Sequence, residues 1–409
     1  MGDLNIMLLR ETISSAVPRL WPVVDCALAT CGTLFLEDNT NPAAVILVGP
    51  PSAGKNTVID MFTNHALTYR SDKFSSAAFV SNSANVSKET LAHIDLLPRI
   101  QHKMLLTQEL APIFRGKEEE LLDRFNTLTR VLDGRGLMTD SGTHGPRGYE
   151  GDYLFAWLGG TTPLDKKAWE VMGKLGSRLL FYRMPSTCDS TPEDLVRSTE
   201  ETPYLKTTEI GKKVVHAFLT ALSTHCGGIR GVKWNSTNND RNSIAWIAVF
   251  ARLLAILRTP LIPDDTNQIS TQHWENPRRA MSCLYNLARG HALVHGRQGV
   301  NSEDLPLIAG VVLSSIPERI SHFLQALIIK GGVLTVTQAE EILGGLTKGT
   351  ARSFLEKLGK FPVMEFVKEG QGKRDYLKLS KDWAWLSSDE YAGKLLGGME
   401  WASLEPVKI

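Results

Sequence analysis

The stretch Ala43-Ala44-Val45-Ile46-Leu47-Val48-Gly49-Pro50-Pro51-Ser52-Ala53-Gly54-Lys55-Asn56-Thr57 decides the reading of this chain. Its first six residues are an unbroken apolar run with β-branched members, closed by a glycine. Such a run reads as a short strand buried on both faces, as in a parallel sheet. Val58-Ile59-Asp60-Met61-Phe62 then opens a helix, so the loop between joins a strand to a helix N-terminus. Backbone N–H groups of a loop of this kind cradle phosphates, and a lysine at Lys55 reaches the β- and γ-phosphates. ATP is the expected ligand, with Gly49 through Thr57 as its phosphate-binding residues. The pattern asks for Ser or Thr directly after the lysine, where a hydroxyl ligates Mg²⁺. Asn56 stands there instead, followed by Thr57. An amide oxygen can still coordinate Mg²⁺, so Asn56 and Thr57 are the expected metal-holding residues of the loop.

Hydrolysis needs an acid at the end of a neighbouring strand, to hold Mg²⁺ through water and to orient the attacking water. Lys103-Met104-Leu105-Leu106-Thr107-Gln108-Glu109 has that form, an apolar strand ending in Glu109. Gln108 replaces the first acid of the usual pair, so Glu109 acts alone and completes the metal set; Asp133 is the next acid in line. Leu154-Phe155-Ala156-Trp157-Leu158-Gly159-Gly160-Thr161-Thr162-Pro163 is a further strand, ending in hydroxyls. The hydroxyl of Thr161 either meets the γ-phosphate or attacking water, or belongs to a turn that caps the helix Leu164–Leu175. Gly176-Ser177-Arg178 enters another strand, and Arg178 is placed to reach a neighbouring subunit's nucleotide.

Strand candidates Ala77–Val80, Lys103–Thr107, Leu154–Leu158 and Arg178–Tyr182 alternate with helices, notably Glu118–Val131. That alternation predicts an α/β fold with a parallel sheet. Residues 1–40 precede it as a helical segment, interrupted by Pro18 and Pro22. The ATPase core is expected over 41–187. From 188 to 316 the strand signal fades into helices: Glu209–Leu222, Asn242–Leu257, Pro277–Val294 and Ser302–Ser314. After Pro317 the order is helix, strand, helix, helix, hairpin, which is the order of a winged helix and fills 317–409.

The chain has 409 residues, 43% hydrophobic and 22% charged, so it is globular and long enough for two or three domains. A net charge of +1 excludes a global basic signature, leaving any nucleic-acid surface to a local patch. Residues 348–381 supply one, with nine Lys/Arg against four acids, a net of +5. Five cysteines without a C-x-x-C pair argue against a disulfide framework or structural zinc and fit a reducing compartment. The opening MGDLNIMLLRETISS does not read as a secretory signal, and no apolar run reaches the ~20 residues of a membrane helix. A cytoplasmic protein with no membrane partner is expected.

The order of these motifs resembles the AAA+ ATPases, in the branch of the MCM-like and the phage or mobile-element replication ATPases. The resemblance covers about residues 43–310 and rests on the loop at Lys55, the Glu109 strand, Thr161-Thr162 and Ser177-Arg178, in that order. Leu132-Asp133-Gly134 and Leu175-Gly176-Ser177-Arg178 look like the corresponding stretches of phage and plasmid ATPases. Pro277-Arg278-Arg279-Ala280-Met281, with Leu287-Ala288-Arg289-Gly290-His291-Ala292, is similar to the helical lid, and the resemblance carries the second sensor arginine to Arg279. It implies a homo-oligomeric ring, expected as a hexamer, acting on DNA with a possible replication partner protein. Between Leu137 and Tyr149 two extended arms flank a glycine-rich tip, which reads as a β-hairpin. In the MCM-like branch a hairpin at this place lines a ring's channel, so His144 and Arg147 become DNA-contacting residues. Lys348 and Arg352 on the winged helix, and Lys373 and Arg374 on its wing, are the expected phosphate contacts.

Two functions compete. One is an ATP-driven ring on DNA, a helicase, translocase or loader. The other is a nucleotide-dependent assembly switch, a regulatory or defence ATPase that docks on a protein partner; Asn56 and Gln108 favour it. A small-molecule kinase has no need of the lid and winged-helix tail.

Overall fold

The computed structural model describes residues 5–72, 75–81, 88–141, 145–176, 178–185, 196, 199–200, 204–261, 272–344, 347–369 and 374–388. Among the described residues the strands are β1 (Ala43–Val48), β2 (Thr68–Arg70), β3 (Met104–Thr107), β4 (Gly136–Ser141), β5 (Gly145–Glu150), β6 (Ala156–Thr161), β7 (Leu179–Arg183), β8 (Val333–Thr335), β9 (Met364–Val367) and β10 (Tyr376–Leu379). A parallel five-stranded sheet in the order β2-β3-β6-β1-β7 forms the centre of an α/β fold. β6 lies between β1 and β3. Val48 pairs with Thr161, and Thr107 with Gly159, so the loop after β1 and the acid after β3 flank the end of β6.

Period-2 alternation splits the strands between two cores. Val45 and Leu47 of β1, with Leu106, Leu158 and Leu180, face a core shared with helices α2 (Trp21–Gly32) and α3 (Lys55–Met61). Ala44 and Ile46, with Leu105, Trp157 and Phe181, face the opposite core under α5 (Leu96–Ile100), α6 (Glu118–Val131) and α7 (Lys166–Leu175). Every residue of β1 is buried, as a strand covered on both faces requires.

One expected strand is absent. Ala77–Val80 contributes only a short 3₁₀ turn, Ser76–Ala78, and the strand beside β3 is Thr68–Arg70. Phe79 and Val80 are buried, yet Phe79 uses its carbonyl to accept from Leu97 N rather than to pair in a sheet. Their apolar character serves packing, whereas three residues of β2 are too few to show alternation.

The remaining helices are α1 (Ile6–Ala16), α4 (Lys88–Ile94), α8 (Tyr204–His225), α9 (Arg241–Arg258), α10 (Arg278–Val294), α11 (Leu305–Ser314), α12 (Glu318–Ile329), α13 (Val336–Ile342) and α14 (Lys348–Leu358). α2 lies along α10 and touches β1 and β6. Glycines set that approach: a Cβ on Gly290 would stand 2.2 Å from Ala29 O and 3.0 Å from Thr33 N, both backbone atoms. Gly290→Ala is therefore expected to lower stability by about 1–3 kcal/mol through forced helix separation, outweighing the ~1 kcal/mol that Ala gains over Gly in a helix. Chemical denaturation reads this, with Gly349→Ala as control, because nothing lies closer than 4.0 Å to a Cβ there. A variant as stable as wild type would show that the helices separate without cost.

α12, β8, α13, α14, β9 and β10 follow in chain order, with the strands in an antiparallel sheet β8-β10-β9. Thr335 and Gln338 close a capping box on α13, and Thr347 accepts from Thr350 N to start α14. Among the described residues no helix is long and apolar enough to cross a membrane.

Candidate functional site

The chain leaves β1 at the C-terminal edge of the sheet, where Gly49 N donates to Thr161 O at 3.2 Å. Ser52 and Gly54 both take positive φ, 63° and 89°. At Gly54 a Cβ would also stand 3.0 Å from Leu20 Cδ1, so this turn needs glycine for backbone and for space. The helix α3 begins at once with Lys55, which is only 7% exposed. Its ammonium donates to Gly49 O and Pro50 O, both at 2.7 Å. Burial pushes the Lys55 pKa below the ordinary lysine value, and the Glu109 carboxylate opposes that shift. The structure thus brings the loop lysine and the strand-end acid into one electrostatic neighbourhood.

Glu109 is exposed, and its Oε1 accepts from Ala111 N at 2.8 Å. Asn56 is exposed at the start of α3, whereas Thr57 is buried. An exposed amide oxygen and an exposed carboxylate suit a hard cation held partly by water. The residues present therefore fit ATP with Mg²⁺, Asn56 being better placed than Thr57. Gln108 donates to Asp60 Oδ1 on α3, fixing the end of β3 against the helix that carries Lys55. Sequence reading passed over Asp60; its signal was an acid one turn beyond the loop. Thr161 is buried at the end of β6, while the neighbouring Thr162 accepts from Arg115 Nη2 at 3.4 Å.

Arg178 and Arg279 meet elsewhere. Arg178 Nε lies 3.2 Å, and Arg279 Nη2 2.7 Å, from the same oxygen of Asp133. Arg178 directly precedes β7, whose Leu179 is level with Ala44. The pair therefore sits at the N-terminal edge of the sheet, and Val48 is roughly 13 Å further along the strand at ~3.3 Å per residue. Asp133 holds both cations there, so it cannot stand in for Glu109 beside Lys55. Arg258, fully buried nearby at the end of α9, donates to Leu179 O at 2.7 Å; burial pulls its pKa down to about 10, with Glu275 opposing. Arg183 is at the other end of β7 and donates to Ile316 O at 3.1 Å.

The expected hairpin is present: β4 and β5 pair antiparallel from Gly136–Glu150 to Ser141–Gly145. Tyr149 donates to Asp95 Oδ2 at 2.9 Å, and Asp95 Oδ1 accepts from Ser81 N at 3.0 Å, which ties the hairpin base to the body of the domain. His144 at the tip lies outside the described residues, as do Ser177 and Lys373. Arg147 is half-buried on β5, with its Nε buried and, among the described residues, lacking a hydrogen-bond partner.

In the C-terminal unit the net positive charge is partly matched. Arg352 Nη2 is 2.8 Å from Asp375 Oδ2, Lys368 pairs with Glu356 and Lys378 with Glu365, both at 3.1 Å. Lys348 and Arg374 are exposed and form no ion pair among the described residues.

The fold and the loop define an α/β protein with a P-loop-like core. No known protein family and no curated protein sequence matches the chain. Among solved structures it is similar to a full-length MCM homolog from Methanopyrus kandleri, at 14% identity and a TM-score of 0.43. That likeness covers 77% of this chain and 60% of the other protein's length.

Proposed function

We propose that this chain is a Mg²⁺-dependent ATPase of the AAA+ type, MCM-like in arrangement, that works on DNA as a homo-oligomeric ring. The observation that carries the reading is the separation of Lys55 and Glu109 from Arg178 and Arg279, at opposite edges of one sheet. In one chain the arginines are a strand-length from the phosphate loop, so they serve a nucleotide only when it sits on an adjacent copy. ATP bound with Mg²⁺ supplies the transferable γ-phosphoryl group. Lys55 and the loop amides hold the phosphates, and Asn56 with Glu109 holds the metal, with Thr57 behind them. Glu109 orients water and takes its proton. Thr161 closes the site from β6, and Arg178, with Arg279 beside it, neutralises developing charge from the neighbouring subunit.

In this reading residues 41–187 are the ATPase core, 188–316 the lid and 317–409 a winged-helix domain, with 1–40 as the N-terminal helical segment. DNA is held by the hairpin through His144 and Arg147, and by Lys348, Arg352, Lys373 and Arg374. The Asp375 pairing makes Arg352 the weakest of these candidates. The second reading, an assembly switch, draws on Asn56 and Gln108, which replace the hydroxyl and first acid of a fast hydrolase.

The deciding experiment measures ATP turnover with and without single-stranded and duplex DNA, together with the mass of the ATP-bound species. DNA-stimulated turnover by a multimer is expected. Slow turnover indifferent to DNA, in a species that still assembles, would favour the switch. A monomer under all conditions would defeat the ring.

Replacing Lys373 and Arg374 with Ala is expected to weaken DNA binding about equally across sequences, because such residues meet phosphates. The log–log salt slope should become shallower by about 0.9 per lost contact on duplex DNA. An unchanged slope would place the phosphate contacts elsewhere.

A further inference from the structure

Asp25 on α2 faces His291, in the last turn of α10, and His295, the residue that caps that helix four positions on. Asp25 Oδ2 is 3.1 Å from His291 Nε2, and Asp25 Oδ1 is 3.0 Å from His295 Nε2. All three ligand atoms lie within 4.8 Å of one another. The two imidazoles meet different oxygens of the one carboxylate, so each of the three side chains turns a ligand atom toward the same point. Behind the cluster, His291 Nδ1 is 2.6 Å from Asp304 Oδ1, and Asp304 is fully buried. Asp304 is itself gripped by Arg297 through bonds of 2.7 and 2.9 Å.

This second layer assigns the tautomer. With Nδ1–H given to Asp304, His291 turns Nε2 toward Asp25, where it must carry either a second proton or a metal ion. The carboxylate–imidazole–metal relay has the same parts: a ligating His whose other ring nitrogen donates to a buried carboxylate. We propose that Asp25, His291 and His295 bind one divalent transition cation of the zinc class, which fastens α2 to α10. Two imidazoles and one carboxylate suit zinc over Mg²⁺, which prefers oxygen ligands in an octahedron. His295 is the most exposed of the three and marks the side of entry.

The full chain, stripped of metal with a chelator, is titrated with Zn²⁺ in the presence of excess Mg²⁺ and without nucleotide. One zinc per chain is expected, with a rise in Tm. His295→Ala, at the least buried ligand, should weaken zinc at least tenfold while matching the metal-free Tm of wild type. Asp25→Asn should also weaken zinc at least tenfold, and it should lower the metal-free Tm because the buried carboxylate that pairs with both histidines is lost. Zinc that fails to bind wild type, or that binds His295→Ala as tightly as wild type, overturns the site. The stoichiometry and the Tm shift are read on wild type alone, so they decide even if a variant does not fold.

Discussion

Arg178→Ala is expected to leave ATP binding within a few-fold of wild type and to cut turnover by about 10³–10⁵-fold, the range for removing an arginine that acts across a boundary. Lys55 and Arg178 lie at opposite ends of adjacent strands, and Arg178 is held by Asp133 together with Arg279. A residue so placed has no route to its own nucleotide. Mixing is the sharper measurement. Lys55→Ala removes the phosphate-reaching cation and should abolish binding and turnover on its own, while keeping a sound Arg178. In a mixed ring some interfaces join the intact loop of one variant to the intact arginine of the other, and part of the activity returns. If mixing restores nothing although mixed oligomers form, the arginine works within its own chain and the proposed interface is wrong. Nucleotide affinity unchanged in Lys55→Ala would sink the loop assignment itself.

Glu109→Gln is the second large effect. Glutamine keeps the size of the side chain and its acceptor for Ala111 N, but loses the charge that polarises water and takes its proton. ATP should bind as before, and turnover should fall by about 10²–10⁴-fold, the usual worth of a positioned general base. The variant should accumulate as an ATP-bound assembly, visible as a stable high-mass species. Hydrolysis at the wild-type rate would move the role to another acid. Asp133 is not a candidate, because it is committed to two arginines at the far edge. Asp60 would be tested next, since Gln108 links it to the end of the same strand.

The parts of the fold that announced themselves are those where one chemical requirement is strong. The six apolar residues of β1 and the glycine-lysine loop fix a buried strand, a turn and a helix start in one short stretch, and all three are present. The helices α6, α9 and α12 follow their apolar spacing almost to the residue. The misses have local causes. Phe79 and Val80 look like strand residues because burial and strand pairing select the same side chains. The association of Arg178 with Arg279 is invisible in one dimension, since a hundred residues separate them and Asp133, distant from Arg279 in sequence, bridges them. The cluster of Asp25, His291 and His295 escaped for the same reason: the two histidines are four residues apart, but Asp25 comes from a segment some 270 residues earlier. The charge excess near the C-terminus was legible as a sum, yet not as a distribution. Pairing to Asp375, Glu356 and Glu365 decides which cations stay available.

Leu20, at the entrance to α2, presses on Gly54 of the phosphate loop, and Gly32, at its exit, lies against Gly290 of α10. A helix of twelve residues is about 18 Å long and does not stretch. Push on one end and the other end must travel. Any shift of the loop relative to α10 is therefore converted into tilt of this rod, or into sliding along the close seam where Gly32 and Gly290 meet beside Thr33. The opening segment of the chain thus joins the loop at Gly54 to α10 through one stiff helix. A cut near residue 40 would remove that link along with the wall it forms.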